Sequence, residues 1–154
     1  MLTLLRFAAV LLTALSLVPA GAHLFELPNK IGLPREAYFI AQGLYRGWAL
    51  FGFALFGALA ANLALAVTLR RQRGAAGLAL GAGLLIGLTL AIFFTWVYPA
   101  NVATANWTQA PPGWEALRRH WEYGHAVNAL LTFLAFSLSV LSVLGTERHG
   151  TDRP

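Results

Sequence analysis

Apolar residues along the chain fall into four long runs separated by short polar stretches: Leu2 to Ala22, Gly47 to Leu69, Ala75 to Val97 and His125 to Leu144. Each run holds about 20 residues, enough to cross the ~30 Å hydrocarbon core of a bilayer as a helix. The runs are apolar on every face and rich in Leu and Ala, without the strict alternation of a barrel strand. They predict an all-α fold, an integral membrane four-helix bundle. Residues 1–145 form its spanning domain, and residues 146–154 are expected to be a disordered cytoplasmic tail. The polar stretches carry signals of their own. Pro28 is expected to end the first helix, and Pro34 to open a helix from Arg35 to Arg46 that runs into the second span. Pro111 and Pro112 precede a charged turn that continues into the fourth.

Lipid is as apolar as Leu, so such spans associate through close packing and polar contacts. Small-x-x-x-small patterns supply the first at Gly57 with Ala61, Gly77 with Gly81, and Gly83 with Gly87. The second comes from the fourth span, where His125, Asn128, Thr132, Ala135, Ser139 and Ser142 recur every three or four residues as one polar or small stripe. Asn62 in the second span is the expected hydrogen-bond partner of that stripe.

Composition agrees with a membrane protein: of 154 residues, 58% are hydrophobic and only 11% charged. The formal charge of +5 is scattered over the polar ends and forms no basic helix face, which excludes a nucleic-acid partner and leaves lipid headgroups. The absence of cysteine removes disulfides, thiolate metal sites, covalent haem attachment and dithiol redox cycling. Arg70, Arg71 and Arg73 lie in a very short loop without acids, which the positive-inside rule places in the cytoplasm. Both termini are then cytoplasmic, and the connections from His23 to Arg46 and from Pro99 to Gly124 lie outside, in a bacterial inner membrane. All five Trp and all four Tyr fall on that outer side, predicting an aromatic-rich outer cap over the bundle. Arg6, the run Phe7 to Val18 and the small residues before His23 also read as a signal peptide, whose removal would leave His23 as a copper-chelating amino terminus. A retained first span is the expectation carried forward.

Two pairs of residues carry candidate chemistry. His23 and Glu26 are three apart, as are Glu122 and His125, so each pair shares a helix face. The first and last helices of an up-down bundle are neighbours, which brings the pairs to one membrane level. His23, Glu26, Glu122 and His125 are therefore a candidate metal set for zinc, iron or copper, or the two histidines axial ligands of a haem. Two other readings stay open. Glu122 can pair with Arg118 or Arg119 and Glu26 with Arg46, leaving a structural network with no cofactor, or the groups can move protons without a metal. His125 and Asn128 enter the apolar span, where polar side chains mark a site or a partner.

The segments "AHLFELPNK", "YRGW", "IFFTWVYPANVATANWTQAP" and "GWEALRRHWEYGHAVNALL", linked by apolar spans, resemble a bacterial family of small four-span membrane proteins related to the anthrone oxygenase-like group. The resemblance covers nearly the whole chain. It implies oxidation of an apolar aromatic or quinone-like compound, a reaction for which the group has no recognised cofactor. Members carry W-x-x-x-N-x-x-R at the start of the last span; here Trp121 is followed by His125 and Asn128 at those places, so both polar residues differ. The expected function is an oxidoreductase or oxygenase-like enzyme at the outer face, with His125, Glu122, Asn128 and Arg46 as catalytic candidates. His125 or Glu122 would take a proton, and Arg46 or Arg119 would steady an oxyanion. The alternative is a non-catalytic membrane subunit that binds a partner protein or lipid. Expected partners are the bilayer, a small apolar aromatic ligand and, as an open alternative, further copies of the chain in a homo-oligomer. Four spans without inverted repeats give no machinery for alternating access.

Overall fold

Four long helices dominate the computed structural model, which describes residues 1–145; the tail expected over residues 146–154 lies outside them. The elements are α1 (Leu2–Lys30), α2 (Arg35–Gln42), α3 (Phe51–Thr68), α4 (Arg73–Ile92), α5 (Tyr98–Ala103) and α6 (Trp114–Leu144). Short 3₁₀ turns at Gly43–Tyr45 and Trp48–Leu50 lead into α3, and a π turn at Phe93–Val97 joins α4 to α5. The helices containing the four apolar runs are long and apolar enough to cross a membrane. α1 packs on α3 and α6, and α4 packs on the same two, which closes a ring of antiparallel neighbours. The chain is thus a multi-pass helical protein whose apolar surface meets lipid.

Two boundaries differ from the sequence reading. α1 passes through Pro28 and ends at Lys30. A proline removes one intrahelical bond, and here the loss is offset by contacts of Lys30 with Glu26 one turn earlier and with Glu122 across the bundle. The helix from Arg35 does not run into the second span. Gly47 takes a left-handed conformation, φ 89°, and turns the chain between the two 3₁₀ segments. At the start of α6 the expectation holds: Gly113, φ 77°, follows the two prolines, and the helix then runs unbroken for 31 residues.

Small residues set the approach of the helices. A Cβ on Gly83 would lie 2.8 Å from Leu63, one on Gly57 3.1 Å from Leu12, and one on Gly81 3.1 Å from Leu138. Gly77 and Gly87 face open space and contribute no such contact. The stripe on α6 faces inward as predicted: Asn128, Thr132, Ala135, Ser139 and Ser142 are buried, and the Ser142 hydroxyl donates to the Ala75 carbonyl at 2.8 Å. Asn62 does not pair with it. Its amide donates instead to Thr13 on α1 at 3.1 Å, because α1 and α3 share a face on which Thr13 is fully buried.

Candidate functional site

A second stripe, on α1, builds the site. Ala9, Thr13, Ser16, His23 and Lys30 are its buried residues, spaced as one face of a helix. The upper part of that face lies against the start of α6, where Trp121 and Glu122 are buried. Tyr38 on α2 and Tyr45 on the following turn close the cluster from the side.

Lys30 is its centre and the only lysine in the chain. It is 4% exposed, and its ammonium lies 3.2 Å from Glu122 Oε1 and 3.7 Å from Glu26 Oε2. It donates to the Tyr45 hydroxyl at 2.5 Å and sits 4.2 Å from that ring's centre and 4.5 Å from the ring centre of Trp121. Tyr45 in turn donates to Glu26. The Tyr38 hydroxyl donates to Glu122 Oε1 at 2.9 Å and accepts from Gln42 at 2.5 Å. One ammonium is therefore held between two carboxylates, each of which also accepts from a phenol. Burial pushes both phenols well above the usual tyrosine range, the neighbouring Glu122 adding to the effect at Tyr38 and the bond to Glu26 at Tyr45. Both tyrosines thus remain protonated donors at any ordinary pH.

His23 and His125 converge beside this network. Their rings lie 4.1 Å apart at 33°, and Trp121 packs edge-on against both at 4.9 and 4.3 Å. Tyr45 and Trp48 add 4.5 and 5.4 Å contacts to His23. Five buried polar atoms at this end have no hydrogen-bond partner among the described residues: His23 Nδ1, Arg118 Nε, Trp121 Nε1, Glu122 Oε2 and Asn128 Oδ1. Each orphan of this kind costs about 1–3 kcal/mol unless something completes it.

The geometry redraws the candidate set. His23, Glu26, Glu122 and His125 do meet at one end of the bundle, but the carboxylates turn to Lys30 and the phenols while the imidazoles stack on each other. Among the described residues no three His, Asp or Glu side chains are grouped as a metal ion requires, so the four do not form the expected ligand set. Imidazoles in direct contact also leave no space for a porphyrin between them. Asn128 is buried one turn beyond His125. Arg46 and Arg119 are exposed and form no ion pair among the described residues, and the arginine pairings expected for Glu26 and Glu122 are replaced by Lys30. Arg118 instead donates to the Leu33 carbonyl at 2.8 Å and stacks 4.8 Å from Trp114, tying the loop after α1 to α6. Lys30 is the residue that sequence reasoning missed. Its signal was there: the sole lysine, four residues after Glu26 and in phase with Thr13, Ser16 and His23.

A groove of about 380 Å³ opens onto this network. Phe25, Leu33, Ala41 and Leu44 line its apolar part, and Glu26, Asn29, Lys30 and Tyr45 its polar part. Above the bundle a second ring cluster joins Tyr38, Phe39, Trp107, Trp114 and Trp121. Trp107 reaches it through an unusual backbone: Ala105, Asn106 and Trp107 are all left-handed, with φ of 48°, 54° and 62°. Such a conformation costs about 1–2 kcal/mol for each residue with a Cβ. It is held by Asn106 N–H on the Asn101 carbonyl at 2.7 Å and by the Trp107 indole on Asn101 Oδ1 at 2.9 Å.

Fold and site together define a multi-pass α-helical membrane protein with a charged and aromatic cluster buried at one end. Compared with protein-family models, curated proteins and solved structures, the chain matches none of them.

Proposed function

We propose that the protein is a membrane-embedded oxidoreductase of the anthrone oxygenase-like kind, taking a small apolar aromatic compound with an acidic ring CH₂ beside a carbonyl. The observation that carries this reading is the groove at Lys30, whose apolar walls suit a ring system and whose polar residues supply a base and two donors. Glu26, at the mouth, accepts the CH₂ proton. The Lys30 ammonium and the Tyr45 hydroxyl stabilise the enolate oxygen that forms. Glu122 and Tyr38 hold Lys30 in place from behind. The enolate carbon then bonds to dioxygen, the co-reactant; the resulting peroxide regains the proton from Glu26 and loses water. The balance is CH₂ + O₂ → C=O + H₂O, with dioxygen as the oxidant and no external reductant. Lys30 here takes the part that the sequence assigned to Arg46 or Arg119.

The test is aerobic incubation of the full chain, in lipid nanodiscs, with anthrone. Quinone should form faster than in empty nanodiscs, and Lys30→Met and Glu26→Gln should each lower the rate at least tenfold while retaining wild-type helicity and elution volume. Anthrone that neither binds nor turns over would overturn the reading and leave a non-catalytic membrane subunit.

The membrane is proposed to be the bacterial inner membrane, with the Arg70–Arg73 loop and both ends of the chain on its cytoplasmic side, supported by the acid-free basic loop. Reporter fusions at Gly74 and Gln109 should report inside and outside respectively; the reverse pattern rejects this orientation.

A further inference from the structure

On the side of α6 turned away from Lys30, a second groove of about 230 Å³ lies against the π turn. Its walls are Trp96, Tyr123 and Val127, which are 48%, 53% and 41% exposed on the lipid-facing surface. Gly124 forms its floor, and Arg119 and His120 stand at its rim. These α6 positions recur at spacings of one, three and four, so they form one stripe, nearly opposite the stripe that carries Trp121, Glu122 and His125. The groove is therefore separate from the proposed reaction site. Arg119 and His120 form no ion pair among the described residues. A free guanidinium and an imidazole stand above an apolar channel, at the depth where aromatic residues mark the edge of the hydrocarbon.

We infer that this groove is a binding site for one anionic phospholipid, with the headgroup phosphate between Arg119 and His120 and an acyl chain along Trp96, Tyr123 and Val127. Charge complementarity selects the anionic lipid: the rim offers cation and hydrogen-bond donors, with no carboxylate among the lining residues. The bare backbone of Gly124 lets the Val97 side chain pack against α6 and so closes the floor of the groove. A Cβ there would lie 2.9 Å from Val97 and 3.8 Å from the Trp96 Cβ.

Native mass spectrometry of the full chain, released from nanodiscs made of equal phosphatidylglycerol and phosphatidylcholine, tests this. One phosphatidylglycerol should be retained in preference to phosphatidylcholine. Arg119→Gln should lower that preference about fivefold, the equivalent of the ~1 kcal/mol that one basic residue contributes at an anionic surface. Arg119→Gln with His120→Gln should abolish it. Arg35→Gln, which removes an exposed arginine outside the groove, should retain the preference. Equal retention of the two lipids by the unaltered chain would overturn the inference, as would an unchanged preference in the double variant or an equal fall in the Arg35 variant.

Discussion

The two ends of the bundle are built from different materials. At the arginine-loop end, Ala9, Ala61, Leu65, Leu69, Ala75 and Ala79 form a core of small and aliphatic side chains. At the other end, Tyr38, Val97, Ala100, Trp107 and Trp121 form a core of rings beside a buried lysine, a fully buried glutamate and two histidines. The first end solves a packing problem, since helices without side-chain bulk approach closely and gain dispersion contacts along their length. The second end holds groups that are costly to desolvate, arranged so that each needs its neighbour. Charged and aromatic groups are thus gathered at one end, and the other serves as a clamp that keeps four helices in register.

The contrast breaks most sharply at Glu122. Glu122→Ala leaves the Lys30 ammonium buried beside a half-exposed Glu26, and should destabilise the protein by about 3–5 kcal/mol in thermal or chemical unfolding in micelles. The combined Lys30→Met and Glu122→Gln variant should recover most of that loss, because an apolar or neutral replacement of both partners leaves no unpaired charge. If the double variant is as unstable as the single one, the network is not a charge pair in the sense argued here.

A smaller effect belongs to the packing between the ends. Gly83→Ala forces Leu63 to move from 2.8 Å and should cost about 1–3 kcal/mol. Gly77→Ala, in open space on the same helix, should change stability by less than about 0.5 kcal/mol. Equal effects at the two glycines would mean that close approach does not hold the spans together.

Much of the architecture was legible because hydrophobic length is a strong signal: the four spans and their antiparallel order follow from it, and the inward stripe of α6 follows from the three-and-four spacing of its polar and small residues. The site was only half legible. Spacing placed His23, Glu26, Glu122 and His125 on the correct faces, and topology brought them to one level. What they would pair with could not be read, since Lys30 enters the cluster only because α1 continues beyond Pro28. Had the helix stopped there, Lys30 would not share the face of His23. The partner of Asn62 was missed for a related reason: a stripe of small polar residues was sought on α6 alone, whereas Thr13, Ser16 and His23 form another on α1. Arg46 was expected near the cluster as a partner of Glu26, but it lies just before the turn at Gly47 and is exposed.

The π turn at Phe93–Val97 lies where one membrane span passes from the small-residue core to the ring-lined core. Below it, the inward series on α4 runs Ala82, Ile86 and Thr89, with Phe93 next in phase. At about 100° for each residue, the next step of four places Val97 on that same face and leaves Trp96 at its edge. Val97 is accordingly fully buried, and Trp96 is 48% exposed. A side chain of isopropyl size then faces the bare backbone of Gly124, where an indole would hold the helices apart, and Trp96 is carried to the lipid side. One continuous inward face thus serves both the small-residue core and the ring-lined core. A single-residue deletion within 93–97 would set those two cores against each other, while leaving the composition and length of the span almost unchanged.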